Sequence, residues 1–408
     1  MKELRSHQTK ARFNGWQVMS VWGIAGVGKS ALVRNFYYGI MLEKLTPFQK
    51  YGWIDVGDSL NLMDFSRKVL SELNSESHNK HVEINDPIQQ CCKFLKDYRC
   101  LLVIDGLQSR KEWDLIQNSL VSRHSESLII VITSQEHIAT YCADNEEVIL
   151  NVRGLEAAAA FHLLKEKVLR KKPSSTVKDI KYENLKQLIL KCGGLPKVIV
   201  AVADFLAPKT VKFMESETAL DKKFMHELEN NPEFKCLRQL FEWMHCFFLR
   251  CPDFLRPCIF YLSIFPGYQI IRRRRLLMRW VAEGYSRDTK DNTAEERAEK
   301  LFSMLVNLSM IQPPPCTVMT PMRMVKCQVS AFFHEYIISR PEEDNIVFAL
   351  EVFELKGKCR PSTRRTGRHL VIQSDWDRDM IVYDSIDFSK LRSLTVFGEW
   401  QSFLSQKV

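Results

Sequence analysis

The chain has 408 residues, 45% of them hydrophobic and 26% charged, and its formal net charge is +9 at pH 7. The length predicts two to four domains, and the composition is that of a soluble globular protein. The positive charge permits anionic partners without requiring them. The twelve scattered cysteines form no C-x-x-C pair, and no apolar run approaches the roughly 20 residues of a membrane helix, so we expect reduced thiols, no zinc site and no membrane segment.

The first predicted strand, residues 17–22, leads into a glycine-rich loop and then a helix. The loop reads GIAGVGKS and fits the phosphate-binding pattern G-x-x-x-x-G-K-[ST]. Its glycines let backbone N–H groups surround a pyrophosphate at the start of a helix. Lys29 would contact the β- and γ-phosphates, and Ser30 would hold Mg²⁺. The residues predicted to bind a nucleoside di- or triphosphate here are Gly23, Gly26, Val27, Gly28, Lys29, Ser30 and Ala31.

Three more apolar runs predict strands at residues 51–55, 100–105 and 127–132, with amphipathic helical stretches at 61–73 and 87–97. Alternating strands and helices of this kind predict an α/β fold with a doubly wound parallel sheet, which binds ligands at the carboxyl ends of its strands. Asp105 ends one of these strands, where a Walker B aspartate would hold Mg²⁺. The alternative is an aspartate that only caps a turn with Gly106.

Thr133 and Ser134 end the next strand, where they could reach a γ-phosphate; the alternative is a simple polar loop. After residue 150 the pattern becomes helical. One stripe ends near residue 170, a second stops at Gly193-Gly194, and Leu195-Pro196 opens a third. We expect residues 208–235 to form a long loop or irregular helices, and 312–321 to lack regular structure. Short strands are predicted around 370–372 and 391–396, in a spacing that could begin a leucine-rich array.

The order of these motifs resembles the NB-ARC module of plant intracellular immune receptors, the nucleotide-binding leucine-rich-repeat proteins, and within them the grass coiled-coil type. The resemblance covers residues 17 to 345. Its motifs are GIAGVGKSALV, YGWIDV, LLVIDG, LIIVITSQ, KCGGLP and PCIFYLSIFPGYQI with LLMRWVAEGY. It implies a P-loop nucleotide-binding domain (1–150), a small helical domain (151–235), a winged-helix domain (236–345), and a linker with the start of a leucine-rich repeat region (346–408).

The resemblance also implies a function. Such receptors are held closed by ADP, and exchange for ATP opens them so that they oligomerise and signal. By analogy Lys29 and Ser30 bind phosphates and Mg²⁺, Asp105 holds the metal, and Pro196 packs against the adenine. The implied cofactors are ADP or ATP with Mg²⁺. The implied partners are other immune receptors or pathogen effectors, reached through the repeat domain, and the implied compartment is the cytoplasm or nucleus.

Several positions depart from the family pattern. Gly106 replaces a second acidic residue after Asp105, and Gln135 replaces an arginine that reads the γ-phosphate. The Met-His-Asp triplet of the winged helix aligns with Val329-Ser330-Ala331. These changes predict slow or absent hydrolysis and weakened autoinhibition. The chain also starts without a coiled coil and ends where repeats would continue, so we expect a product truncated at both ends.

Two alternatives stand beside the regulatory switch. An active P-loop ATPase is disfavoured by Gly106 and Gln135. A winged-helix regulator that binds nucleic acid would use Arg272-Arg273-Arg274-Arg275, but we favour reading these arginines as the solvated start of a helix that buries Leu276, Leu277, Trp280 and Val281. The strip Phe241, Met244, Phe247 and Phe248 is expected in the core.

Overall fold

The structure is a computed structural model of the 408-residue chain. It divides into two compact units, one up to Arg153 and one from Gly154 onward. The described residues are 17–42, 46–57, 60–74, 86–120, 127–171, 182–208, 216–217, 220–221, 223–266, 269–312, 314, 324–339, 352–355, 365–366, 368–372 and 380–398.

The first unit is built on a five-stranded, wholly parallel sheet in the order β2-β3-β4-β1-β5. The four predicted strands are confirmed to within one residue at each end. The short edge strand β5 was not predicted, because three half-buried residues give too little pattern to read. The strands are β1 (Gln17–Trp22), β2 (Lys50–Asp55), β3 (Cys100–Asp105), β4 (Leu128–Thr133) and β5 (Ile149–Asn151).

Helices cover both faces of this sheet, as a doubly wound fold requires. Along β3, Leu102 and Ile104 belong to one hydrophobic cluster and Leu101 and Val103 to a second, so successive side chains enter opposite cores. This explains why the strands read as continuous apolar runs. The helices are α1 (Lys29–Met41), α2 (Leu62–Leu73), α3 (Pro87–Asp97), α4 (Arg110–Leu120) and α5 (Glu136–Cys142).

Local sequence sets where the two predicted amphipathic helices begin. The Asn61 side chain accepts hydrogen bonds from the backbone N–H groups of Met63 and Asp64 at the start of α2. Asp86 caps α3 in the same way, and Pro87 occupies its first turn. These caps satisfy backbone donors that have no partner within the helix, which fixes the helix starts.

The second unit begins with helices packed around an aliphatic and aromatic core. Gly193 and Gly194 end α7 with φ values of +60° and +71°, and Pro196 opens α8, as the sequence predicted. The stretch 208–235 contains a helix and most of a 3₁₀ segment (Pro232–Leu237) where it is described. The helices are α6 (Ala157–Lys171), α7 (Tyr182–Lys191), α8 (Pro196–Leu206), α9 (Phe224–Asn230), α10 (Arg238–Arg250) and α11 (Arg256–Tyr261).

A winged-helix arrangement follows. The small antiparallel sheet has the order β6-β8-β7. Of the predicted aromatic strip in α10, Met244 and Phe248 are buried, while Phe241 and Phe247 are only half-buried, so that part of the prediction was too strong. The elements are β6 (Ile271–Arg272), α12 (Arg273–Ala282), α13 (Ala294–Asn307), β7 (Ile311–Gln312), β8 (Lys326–Val329) and α14 (Ala331–Ile338).

The C-terminal stretch forms a second parallel sheet in the order β13-β11-β9. Two of its strands were predicted, and β9 was missed. Leu370, Ile372, Val382 and Ile386 form its small core. Most of the segment 312–321, predicted to be irregular, lies outside the described residues. The elements are β9 (Val352–Leu355), β10 (Arg365–Thr366), β11 (His369–Ile372), α15 (Met380–Asp384), β12 (Ile386–Asp387) and β13 (Ser393–Val396).

None of the helices within the described ranges combines the length and the apolar character needed to cross a bilayer.

Candidate functional site

The glycine-rich loop between β1 and α1 has a backbone that favours glycine at Gly23, Gly26 and Gly28, all of which have positive φ. A Cβ atom on Gly23 would lie 2.4 Å from the carbonyl oxygen of Val152, which follows β5. Gly28 adopts the left-handed conformation, with φ at 97°, immediately before α1. That helix begins without a side-chain cap, so its first N–H groups remain available to an anion. The loop therefore has the backbone of a phosphate cradle.

Lys29, the first residue of α1, folds back over this loop. Its ammonium donates to the carbonyl oxygens of Gly23, at 2.9 Å, and Ile24, at 3.1 Å. Burial lowers the pKa of Lys29 to about 8, and the nearby Asp105 carboxylate opposes part of that change. Among the described residues, the half-buried Lys29 side chain donates to two neutral carbonyls and lies near the Asp105 carboxylate, and an anionic ligand would stabilise its charged form.

Ser30 and Asp105 meet at the carboxyl end of the sheet. The Ser30 hydroxyl hydrogen-bonds the Asp105 carboxyl group. Burial raises the pKa of Asp105 above its ordinary value; the Ser30 hydrogen bond, Lys29 and Arg34 oppose this, and Asp55 adds to it. A hydroxyl and a carboxylate in contact beside a phosphate cradle are suitable protein ligands for Mg²⁺, and the remaining ligands of such a site are phosphate and water oxygens.

Asp55 is a site residue that was not singled out from the sequence. It ends β2 directly opposite Asp105 in the parallel register, and its negative charge contributes to the raised pKa of Asp105. Because register between two strands is not visible in one sequence, the only available signal was that both strands end in aspartate. Within the described residues no cluster of three or more His, Cys, Asp or Glu side chains could hold a metal ion without help from a ligand.

The neighbouring rim contains the positions that depart from the family pattern. Gly106 has φ at +90°, and nothing lies within 4 Å of a Cβ placed there. Thr133 is buried, and its hydroxyl accepts from the backbone N–H of Gln135 at 3.2 Å. The Gln135 side-chain amide donates to the carbonyl of Gln108 at 3.2 Å. Position 106 therefore has no side chain and position 135 has a neutral amide, where the family pattern has a second carboxylate and a guanidinium.

The other predicted residues lie in the second unit. Pro196 is half-buried in the first turn of α8. Ser330 precedes α14, is 1% exposed, and its hydroxyl oxygen has no hydrogen-bond partner among the described residues. A Cβ on Gly193 would lie 2.6 Å from that hydroxyl, so the serine packs directly against the glycine turn that precedes Pro196. Ala331 is also buried.

Two family models match the chain. Residues 4–174 match the NB-ARC domain, which spans the whole strand, loop and helix arrangement of the first unit. Residues 264–337 match the winged helix domain of disease resistance proteins, which spans β6 to α14. Both matches fall on the parts of the structure where the corresponding folds are seen.

Curated relatives match almost the whole chain. Disease resistance protein RGA4 of Oryza sativa subsp. japonica is 25% identical over 399 residues, covering 94% of this chain and 37% of the relative. Pik-2 of the same organism is 27% identical, covering 94% and 41%. Probable disease resistance RPP8-like protein 2 of Arabidopsis thaliana is 24% identical, covering 95% and 42%. The chain thus spans about two fifths of the length of these relatives.

Solved structures align with the chain at low sequence identity and low TM-score. A signal transduction ATPase with numerous domains from Pyrococcus horikoshii aligns at TM-score 0.31 and 16% identity, covering 84% of this chain and 43% of that one. The ORC2 protein of Aeropyrum pernix, solved with ADPNP and ADP, aligns at TM-score 0.41 and 12% identity, covering 85% and 91%.

Proposed function

Because the chain carries an NB-ARC domain and the winged-helix domain of disease resistance proteins, we propose that it is an ADP- or ATP-binding regulatory switch of plant innate immunity. The observation that carries this proposal is the geometry of the glycine-rich loop. Lys29 lies over the loop carbonyls, and Ser30 contacts Asp105 at the adjoining strand end. This arrangement suits the β- and γ-phosphates of a nucleotide with one bound cation.

The nucleotide is proposed to occupy the loop with Mg²⁺. The backbone N–H groups from Gly23 to Ala31 would surround the phosphates, Lys29 would neutralise their charge, and Ser30 and Asp105 would hold the metal. Pro196, at the start of α8, is proposed to pack against the adenine base. The metal would neutralise phosphate charge, which lowers the electrostatic cost of holding a polyanion beside two aspartates.

Hydrolysis is proposed to be very slow or absent, so that the protein acts as a binding switch and at most as a slow ATPase. Efficient phosphoryl transfer needs a group that orients water and a cation that stabilises the developing charge. Gly106 has no side chain, and Gln135 donates its neutral amide to a backbone carbonyl. An active P-loop ATPase is the competing function, and single-turnover measurements with labelled ATP distinguish the two.

Autoinhibition is proposed to be weakened. In the family pattern, a histidine and an aspartate of the winged helix join ADP to that domain. Ser330 and Ala331 stand at these positions and offer neither a charge nor a second hydrogen bond. Losing one charge-assisted hydrogen bond, about 1.5–3 kcal/mol, would shift an open–closed equilibrium by roughly one to two powers of ten.

The C-terminal sheet supports the start of a leucine-rich repeat region. Its three parallel strands begin 17 and 24 residues apart, and the second spacing lies within the roughly 20–29-residue repeat length of such arrays. Through this region the protein is proposed to contact pathogen effectors or other immune receptors. The proposed compartment is the cytoplasm, or the nucleus.

Isothermal titration calorimetry with ADP and Mg²⁺ tests nucleotide binding. The wild type should bind one nucleotide, and Lys29→Ala should weaken binding at least a hundredfold, because the buried phosphate charge loses its partner. Lys68→Ala, at an exposed position of α2, makes the same charge change and should bind like the wild type. Equal affinity in all three proteins would contradict the proposal.

A further inference from the structure

The winged-helix domain carries a group of basic side chains that nucleotide binding does not use. Arg272 in β6 lies directly opposite Lys326 in β8 in the antiparallel register, and both residues are exposed. Arg274 and Arg275 are exposed in the first turn of α12, immediately after β6. We refer to Arg272, Arg274, Arg275 and Lys326 as the basic edge.

These four charges stand where the fold itself disfavours them. Residues directly opposite on an antiparallel pair place their side chains on the same face, so Arg272 and Lys326 repel each other. The start of a helix carries the positive end of its dipole, and α12 has arginines there with no acidic residue in its first turn. Unfavourable charge placements that the rest of the fold does not compensate are typical of functional surfaces.

In the described part of the chain, the basic edge has no paired counter-charge. Among the described residues, no carboxylate forms an ion pair with any of its four members. The intervening Arg273 differs: it pairs with Glu299, and its guanidinium carbon lies 4.8 Å from the centre of the Phe302 ring. Arg273 therefore stabilises the contact between α12 and α13, whereas its neighbours remain free for an external anion.

We propose that the basic edge binds the phosphate backbone of double-stranded nucleic acid without reading its sequence. Three of the four cations are arginines, whose planar guanidinium pairs with phosphate oxygens through two parallel hydrogen bonds. The exposed aliphatic residues beside them are Ile270, 50% exposed, and Val325, 66% exposed. Two such side chains give little apolar area to insert into a bilayer, so the charge pattern favours nucleic acid over an anionic membrane.

Fluorescence anisotropy of the full chain with a labelled 20-base-pair mixed-sequence DNA duplex, over a series of KCl concentrations, tests this proposal. Four phosphate contacts predict a slope of about −3.6 in a plot of log K against log [KCl], so affinity should fall about 150-fold between 50 and 200 mM salt. Replacing all four basic-edge residues by glutamine should remove most of the binding. Replacing the three arginines by lysine should retain most of it.

The control carries the same change in net charge elsewhere. It replaces Lys68, Lys93, Lys96 and Lys111, all exposed on helices of the first unit, by glutamine. If this control loses as much affinity as the basic-edge variant, binding follows net charge and the proposal is wrong. Thermal melting establishes that both variants are folded. A second measurement uses vesicles containing phosphatidylserine. If the protein binds these vesicles through the basic edge but does not bind the duplex, the proposal is wrong and the partner is a membrane.

Discussion

The buried ammonium of Lys29 makes nucleotide affinity depend on pH in a range where few other groups titrate. Burial lowers the pKa of Lys29 to about 8. Nucleotide phosphates favour the charged form, so the pKa rises on binding and the complex takes up a proton. Affinity is therefore highest well below pH 8 and falls as pH rises through the pKa of the unbound protein, about 8.

The size of the effect follows from the free-state pKa. About nine tenths of the Lys29 side chains are charged at pH 7 and about one tenth at pH 9, so affinity for ADP should fall about tenfold, or about 1.4 kcal/mol. The last phosphate ionisation lies near pH 6 and contributes little in this range. Calorimetry at pH 8 in two buffers of different ionisation enthalpy should report uptake of about half a proton per nucleotide.

Lys29→Arg is the matched control for this prediction. A guanidinium stays charged throughout the range, so whatever affinity the variant has should be constant between pH 7 and 9. A wild-type affinity that is also constant over that interval, with a binding enthalpy that does not depend on the buffer, would refute the reasoning about the buried ammonium.

Three further predictions concern substitutions. Gly106→Asp should raise the single-turnover rate of ATP hydrolysis at a stability cost of about 1–2 kcal/mol, because φ is +90° there; an unchanged rate would show that the missing acid is not what limits hydrolysis. Gly193→Ala should lower the melting temperature more than Gly284→Ala. Both glycines have positive φ, but only a Cβ at position 193 would lie 2.6 Å from the Ser330 hydroxyl oxygen. Equal losses would mean that the cost comes from backbone strain and not from this clash. Ser330→His with Ala331→Asp should slow ADP release about ten- to a hundredfold in stopped-flow measurements, and an unchanged rate would contradict the proposed lock.

Elements with a strong local pattern were predictable from the sequence. Strand β3 is a run of five apolar residues that ends in Asp105, and Asn61 and Asp86 stand just before helices, so element type and helix starts could be predicted. The glycine-rich loop was predictable for a further reason: its chemistry depends on residues adjacent in sequence. Gly23 and Gly28 adopt a backbone that their positions in the motif require.

Features that depend on pairing between distant segments were not predictable. Asp55 joins Asp105 only through the register of β2 and β3, and Lys326 meets Arg272 only through the register of β6 and β8. The burial of Ser330 against Gly193 joins residues more than a hundred positions apart. Hydrophobic periodicity shows which face of an element is buried, but it does not show which residue of another element lies opposite.

The central claim is that the glycine-rich loop holds an adenine nucleotide, and the nucleotide that remains bound after purification tests it most directly. Wild-type protein and Lys29→Ala would be purified in parallel, denatured, and the released nucleotide quantified by chromatography. We expect close to one ADP or ATP per wild-type chain and almost none from Lys29→Ala. The same amount from both proteins, or none from a wild type that also fails to bind added ADP, would contradict it.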